Sequence, residues 1–455
     1  MIYDIAIIGG GPAGYTAAEK AAKAGQKVII FERRALGGIC LNEGCMPTKT
    51  LLHSAKIFDS LADASRYGVK AENTAIDLEQ VIKRKQRIVR RLTAGVRQRL
   101  TAHHVEQVLH EAKIVGEDQE KNIELEAGGE KYVARKLILC TGSETFIPPI
   151  KGLDQREYWT SREALENKNV PSSLAIIGGG VIGIEFASFF NSLGAKVTVV
   201  EMLPEILGNM DKELSKMLRG DLAKKGVDFH LSAKVMEVET DKIIVETAEG
   251  IILDIDADKL LLSTGRIPLT KNWGLEKLSL EMQGRGIKVN SRMQTSDPRM
   301  YACGDITGQS LLAHTAIREA EVAVNTLLGK EDSMSYKAIP GVVYTSPEVA
   351  GVGMTEEILA EKGVEYSVLR LPMAFAGRFM VENETGGGIV KMIIDENKTV
   401  IGCHMIGSPA SEIIVVAGIA IEKGFTVDEF KKIVFPHPTV GEILHEVLGA
   451  DSKQS

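Results

Sequence analysis

Asp4-Ile5-Ala6-Ile7-Ile8-Gly9-Gly10-Gly11-Pro12-Ala13-Gly14 is a short apolar run that breaks into a G-x-G-x-x-G turn. An alanine-rich helical pattern follows from Tyr15 to Ala24, then Gly25, and a second run from Lys27 to Phe31 ends in Glu32. The order is strand, glycine turn, helix, strand, acid. Glycines at these positions permit a tight turn and let a pyrophosphate approach the helix N-terminus, where backbone N–H groups and the helix dipole favour an anion. Glu32 stands where a carboxylate can accept a hydrogen bond from a ribose 2′-hydroxyl. Gly9, Gly11, Gly14 and Glu32 together predict a dinucleotide-binding unit.

The pattern recurs further along. Ala175-Ile176-Ile177 leads into Gly178-Gly179-Gly180-Val181-Ile182-Gly183, a helical stretch reaches Leu193 and Gly194, and Lys196 to Val200 ends in Glu201. The interval from Gly9 to Glu32 and that from Gly178 to Glu201 are both 23 residues. Since Gly178, Gly180, Gly183 and Glu201 are all present, two bound dinucleotides are expected rather than one ligand and a decayed copy. Glu201 would compete with a 2′-phosphate, and Met202-Leu203-Pro204 brings no arginine or lysine to receive one. The second ligand is therefore expected to be NAD rather than NADP.

A chain of 455 residues, 44% hydrophobic and 25% charged, has room for roughly three domains. The net charge of −7 argues against general affinity for nucleic acid or anionic membranes. The apolar start runs straight into glycines without a basic leader, and no stretch has the 18 or so apolar residues of a membrane span. Five cysteines form no disulfide framework, which points to a reducing, cytoplasmic setting.

Two of those cysteines stand close together in Gly37-Gly38-Ile39-Cys40-Leu41-Asn42-Glu43-Gly44-Cys45-Met46-Pro47-Thr48-Lys49. Five residues of regular helix rise about 7.5 Å, whereas a disulfide wants its Cα atoms about 4.4–6.8 Å apart. A bonded pair thus needs a kinked or tightened backbone, which Gly44 makes less costly. A working redox pair is one reading; small buried hydrophobes, or half of a zinc site, are the others. Zinc is the weaker rival because no second cysteine or histidine pair follows at a suitable spacing, and no metal is expected.

From Leu78 to Leu100 a helical pattern carries Lys83, Arg84, Lys85, Arg87, Arg90, Arg91, Arg97 and Arg99. No aromatic residues interleave to stack bases, so a solvated helix face is expected rather than a nucleic-acid surface. Short strands fill Lys113 to Leu139 and lead to Cys140-Thr141-Gly142-Ser143. Asp305, ending the segment from Thr295, could bond a polyol chain or cap a helix. Beyond Tyr336 a hairpin turning at Glu396-Asn397-Lys398 precedes helices near Ser411 to Lys423 and Val427 to Ile433. His437 then lies between Pro436 and Pro438, with Glu442 five residues on at an expected helix start. A carboxylate beside an imidazole fixes its tautomer and raises its basicity; a surface histidine in a rigid turn is the alternative.

Taken together, these motifs resemble the pyridine nucleotide–disulfide oxidoreductases over essentially the whole chain, and most closely their members that oxidise dihydrolipoamide. Gly9, Gly11, Gly14 and Glu32 match the family's FAD fingerprint, and Gly178, Gly180, Gly183 and Glu201 its NAD fingerprint. Thr141, Gly142 and Asp305 fall in further FAD segments. Cys40 and Cys45 match its redox-active disulfide. Lys49 and Glu185 match an ion pair beside the flavin, and His437 with Glu442 its catalytic dyad.

The resemblance implies an α/β fold: two Rossmann-like dinucleotide-binding domains, for FAD (1–146 and 270–335) and NAD (147–269), and a C-terminal α+β dimerisation domain (336–455). It also implies oxidation of a protein-bound dihydrolipoyl group with reduction of NAD, Cys40 meeting the substrate and Cys45 the flavin. In a homodimer each dyad serves the other subunit. The partner is then a separate lipoyl-bearing protein of a 2-oxo acid dehydrogenase, acetoin dehydrogenase or glycine cleavage system. Cys140 and Cys303 depart from the family's usual small residues. No cysteine pair lies near Ser455, against mercuric reductase, and the residues after Glu201 disfavour the NADPH-dependent glutathione reductases. The alternatives are another NAD(P)H-dependent disulfide reductase or a non-catalytic FAD-binding component.

Overall fold

The computed structural model describes residues 1–383, 387–451 and 453–454. Its first sheet grows from β1 (Ile2–Ile8), followed by α1 (Pro12–Lys23) and β2 (Val28–Phe31). β1 and β2 are parallel, with Ile5 opposite Val28, and every residue of β2 is buried. Such continuous apolar runs suit a sheet covered on both faces. Helix α1 starts at Pro12 rather than Tyr15, because proline's fixed φ suits the first helical position and Gly11 takes the cap.

Two helices, α2 (Gly38–Asn42) and α3 (Cys45–Ala62), carry the close cysteines, and α4 (Leu78–Ala102) crosses beside them. The sheet is then completed by β3 (Glu106–Val108), β4 (Ala112–Glu117), β5 (Ile123–Ala127) and β6 (Glu130–Leu139), in the order β3-β2-β1-β6-β5-β4. Gly128 and Gly129, both with positive φ, make the two-residue turn between β5 and β6.

A two-stranded stem leads to the second unit. β7 (Ser143–Thr145) leaves the first sheet, and α5 (Ser161–Glu166) precedes β8 (Ser173–Ile177), α6 (Val181–Ser192) and β9 (Lys196–Val200). Next come α7 (Lys212–Lys224), β10 (Asp228–His230), an antiparallel meander of β11 (Lys234–Val238), β12 (Lys242–Glu246) and β13 (Ile252–Asp256), and β14 (Lys259–Leu262). The parallel order β10-β9-β8-β14 repeats β3-β2-β1-β6, so the sequence repeat is also a repeat of topology. β15 (Arg266–Pro268) then returns antiparallel to β7.

After a small hairpin of β16 (Met282–Gln283) and β17 (Gly286–Ile287), β18 (Met300–Ala302) joins the first sheet beside the C-terminal half of β6, and α8 (Ala313–Leu327) packs on α1. The C-terminal sheet is antiparallel: β19 (Gly341–Val343), β20 (Val349–Gly353), β21 (Ser367–Pro372), β22 (Ile389–Ile394) and β23 (Val400–Ile406), with α9 (Glu356–Lys362) and α10 (Gly377–Glu382) between them. Helix α11 (Ala410–Lys423) covers it and stops at Gly424, whose positive φ suits a helix end. The following helix covers only Val427–Phe430, shorter than the Val427 to Ile433 pattern predicts.

Candidate active site

Both glycine turns have the same construction. Gly9 and Gly178 have φ of +106° and +105°, where side chains are strained, and an added Cβ would lie 2.0 Å from the Cys140 oxygen and 2.5 Å from the Ser263 oxygen. A Cβ on Gly14 or Gly183 would sit 1.8 or 2.2 Å from the carbonyl of the first glycine. Gly180 differs: nothing lies within 4 Å of its Cβ position, and at Gly11 only the Gly38 Cα does, at 3.9 Å. These are the positions where a ligand's backbone-hugging group can approach. Neither α1 nor α6 has a side-chain cap or an acidic residue in its first turn, so their leading N–H groups are left for an anion.

The acids are anchored alike. Glu32 Oε2 accepts from Gly10 N at 2.7 Å and Glu201 Oε2 from Gly179 N at 2.6 Å, while their other oxygens take Arg34 N and Leu203 N. Gly10 and Gly179 were not among the site residues expected from sequence. Their presence in both copies is the signal that could have found them. The donor set and the open middle glycines, Gly11 and Gly180, fit a dinucleotide in each turn.

The segment that carries the close cysteines lies directly on the first turn: Gly37 N donates to Gly10 O, and a Cβ on Gly38 would lie 2.6 Å from Gly11 Cα. Helix α2 ends at Asn42, and α3 begins anew at Cys45 after Gly44, at φ −146° and ψ −106°. That break is the expected backbone kink between the cysteines. Cys40 and Cys45 are half-buried free thiols that hydrogen-bond each other. The bond from Cys40 lowers the Cys45 thiol to about 7, aided by the Lys49 ammonium and a backbone N–H, against burial and Glu185. The same bond, with burial, pushes Cys40 upward. Cys45 is thus the more acidic thiol of the pair and Cys40 the less acidic, in line with the position of Cys45 at a helix N-terminus. Tyr15 packs on the same core as Cys40, and burial, with the negative charge the thiols can carry, raises its hydroxyl.

One turn after Cys45, Lys49 Nζ reaches Glu185 Oε1 and Oε2 at 2.9 and 2.8 Å. Glu185, buried on α6, also accepts from Tyr344 N at 3.0 Å, and Lys49 Nζ lies 4.5 Å from the Tyr344 ring centroid. Three parts of the chain therefore meet at this ion pair. Tyr344 carried no sequence signal; only the tertiary fold brings it here.

Asp305 sits in a 3-10 turn after Gly304 and accepts from the buried Ser143 hydroxyl, which takes Arg266 Nε at 2.8 Å. Burial raises the Asp305 carboxyl and lowers the Arg266 guanidinium. The Thr141 hydroxyl donates to Leu269 O, Leu269 N donates back to Gly142 O at 2.9 Å, and nothing lies within 4 Å of a Cβ on Gly142. Glu319, fully buried on α8, accepts from Gly304 N and from Tyr336 Oη, the latter at 2.6 Å. Burial pushes its carboxyl up to about 7. Neither Arg266 nor Glu319 was expected from sequence. Cys140 and Cys303 pack against each other at the ends of β6 and β18, and burial raises the Cys303 thiol. Among the described residues no cluster of three or more metal-ligating side chains occurs.

His437 Nδ1 lies 2.7 Å from Glu442 Oε1, and Glu442 Oε2 accepts from Thr439 N at 2.7 Å. Glu442 is therefore the reciprocal cap of a 3-10 turn (Val440–Glu442), and the Thr439 N–H bond followed by His437 holds its carboxyl below the usual range. The turn packs through Val440 on the core of the C-terminal sheet, while Cys40 packs on that of the first sheet. The imidazole side chain is 80% exposed.

Comparison with known proteins agrees with this geometry. The family model described as pyridine nucleotide-disulphide oxidoreductase matches residues 3–320, and that of the family's dimerisation domain matches residues 339–448. The chain is 38% identical to a dihydrolipoyl dehydrogenase of Thermus scotoductus, covering 100% of this chain and 98% of that one. It is 37% identical to that of Geobacillus stearothermophilus, over 97% and 94%. Among solved structures, the HOCl-induced flavoprotein disulfide reductase RclA of Escherichia coli superposes with a TM-score of 0.85 at 29% identity, over 98% and 99% of the two chains. LpdA of Mycobacterium tuberculosis, at 24% identity, shares the fold with a TM-score of 0.89 over 98% and 99%. No helix among the described residues is long and apolar enough to cross a membrane. This chain, with its two nucleotide turns, paired thiols and dimerisation domain, belongs to the pyridine nucleotide–disulphide oxidoreductases.

Proposed function

We propose that this chain, as a homodimer, oxidises dihydrolipoyl groups to the lipoyl disulfide and reduces NAD. The observation that carries the reading is Cys45 at the start of α3, a free thiol set against the Cys40 thiol across the Gly44 break and followed one turn on by the Lys49–Glu185 pair. Bound FAD supplies the electron-pair relay between thiol and nicotinamide. Gly9, Gly11, Gly14, Glu32, Lys49, Thr141, Gly142 and Asp305 are assigned to hold it, and Gly178, Gly180, Gly183 and Glu201 to hold NAD. Residues 1–146 with 270–335, 147–269 and 336–455 are proposed as the FAD, NAD and dimerisation domains.

His437, held in one tautomer by Glu442, takes the proton of a substrate thiol. The thiolate attacks Cys40 Sγ in the oxidised pair, breaking the Cys40–Cys45 bond, and Cys45 leaves as a thiolate next to Lys49. The second substrate thiolate attacks the substrate sulfur attached to Cys40, closing the lipoyl ring and freeing Cys40. Two electrons pass from substrate to the cysteine pair, and two protons leave the substrate. Each dyad is proposed to act on the partner's cysteines, since His437 and Cys40 pack on different cores of one chain. The carrier is a lipoyl-bearing protein, and the setting cytoplasmic.

The test is NADH formation from free dihydrolipoamide and NAD by the FAD-loaded dimer. Sustained turnover supports the reading. If FAD is bound and the cysteines are reducible but no NADH forms, the substrate is another disulfide or the chain does not catalyse.

A further inference from the structure

The eight basic residues of α4 face a single acid, Glu79, within the helix, in a protein whose net charge is −7. Some are used internally. Lys85 is buried and bonds Leu165 O and Glu166, Arg84 donates to Thr50 O, and Arg99 pairs with Glu19 at 3.5 Å. Lys85 thus departs from the expected solvated face. Arg87, Arg90, Arg91 and Arg97 are different: all four are exposed, and none has an ion-pair or side-chain hydrogen-bond partner among the described residues.

Their spacing is not scattered. At about 100° per residue they fall, with Lys83, within an arc of about 120°. The arc lies opposite the buried stripe of Leu78, Val81, Ile82, Val96 and Leu100. From Lys83 to Arg97 the stripe runs about 21 Å. Lys83 is paired with Glu79 at 2.8 Å, but the four arginines are uncompensated like charges that repel one another, so the fold gains nothing from them.

The helix also ends at the site. Val96 and Leu100 share a core with Leu41, the neighbour of Cys40. The Arg99 guanidinium lies 5.9 Å from the ring centroid of Tyr15, which packs on the same core as Cys40 and feels the charge of both thiols. A surface groove of about 680 Å³ opens there between α1, α8 and the end of α4, its rim carrying Lys20, Lys23, Arg99 and Lys330 against Glu19 and Glu321.

We propose that the arginine stripe of α4 is the docking surface for an acidic lipoyl-bearing carrier domain, whose lipoyl arm enters the groove beside Tyr15. The inference rests on the function proposed above, because it names the carrier of that substrate. Charge complementarity of this kind raises the encounter rate and fades with salt. A second copy of the chain is a poorer occupant, since the dimerisation domain lies elsewhere, at residues 339–448.

The test compares the wild-type dimer with R87Q/R90Q/R91Q/R97Q, using free dihydrolipoamide and, separately, a reduced lipoyl domain of known acidic surface. The quadruple variant should keep its rate with free dihydrolipoamide. With the domain its kcat/KM should fall about tenfold at low salt, and the wild-type advantage should vanish near 0.5 M salt. Equal kcat/KM for wild type and variant with the domain overturns the proposal. So does a stripe that binds single-stranded oligonucleotide while domain kinetics stay unchanged, which would make it a nucleic-acid surface. Absence of wild-type turnover with free dihydrolipoamide overturns the parent function instead, and loss of it in the variant alone shows that the stripe acts on the site and not on docking.

Discussion

Lys49 and Glu185 stand 136 residues apart in the chain, yet one ammonium holds both carboxylate oxygens at 2.9 and 2.8 Å, joining the helix that begins at Cys45 to the second nucleotide unit. Their effects on Cys45 are opposite: Lys49 lowers its thiol and Glu185 raises it. Cys45 is depressed from 9.0 to about 7, so its thiolate is present above that value and is protonated as pH falls through it. The thiolate–flavin charge-transfer band of the reduced holoenzyme should fade with a midpoint near pH 7. K49M should move that midpoint up and E185Q move it down, each by about one unit. C45S should retain FAD and lose the band at every pH. Midpoints that shift together, or a band surviving in C45S, would contradict the assignment.

His437 and Glu442 are proposed to serve the opposite subunit, which predicts complementation. H437A and C45A dimers should each lose activity by at least about a hundredfold. Mixed dimers carry one complete site and one doubly defective site, so each should recover about half the wild-type rate. Verified mixed dimers with no recovery would show that the dyad and the cysteines of a single chain work together. E442Q keeps an acceptor for Thr439 N but loses the carboxylate at Nδ1. It should fold normally and slow turnover about ten- to a hundredfold, as read by steady-state kinetics.

The two later glycines of the second turn should separate binding from folding. Nothing lies within 4 Å of a Cβ on Gly180, whereas one on Gly183 meets the Gly178 oxygen at 2.2 Å. G180A should fold with full FAD content and raise KM for NAD about tenfold or more, because the methyl enters the space left for the pyrophosphate. G183A should instead lower thermal stability. Titration of NAD and a melting curve on both variants decide it.

Glu319 makes a prediction about stability alone. Its folded value of about 7 lies above the ordinary 4.5, so between these the folded state keeps a proton that the unfolded state has lost. Stability from this group is complete below about 4.5 and declines as pH rises through 7, by about 3 kcal/mol in all. E319Q keeps an acceptor for Gly304 N without the buried charge. Its denaturation midpoint should exceed the wild type's at pH 8 and match it at pH 5. Parallel pH profiles would refute the argument.

The elements whose signal is local were legible from the residues. The two strand–glycine–helix–strand–acid units appear with matching turns because their glycines answer to backbone sterics within about 25 residues. Likewise, Gly44 between the cysteines announced a break in the helix. The positions that were missed are set by distant contacts. Tyr344 meets Glu185 across 159 positions, Arg266 meets Ser143 across 123, and Tyr336 meets the acid on α8 through a bond no periodicity encodes. Lys85 shows the same limit: it looks like part of a charged helix face, and only the fold supplies the Leu165 carbonyl that lets it be buried.

The stem formed by β7 and β15 bears on how such a chain could be assembled. Phe146 N donates to Gly265 O at 2.9 Å, so the chain leaves for the second nucleotide unit and comes back at hydrogen-bonding distance. That unit is a cassette on a double-stranded stalk: cutting it out leaves two ends that a tight turn can join. At the foot of the stalk, Arg266 grips Ser143 and Ser143 grips Asp305. The orientation of the cassette and the position of the Asp305 carboxylate are thereby fixed by one set of atoms, so a swing of one is felt in the other.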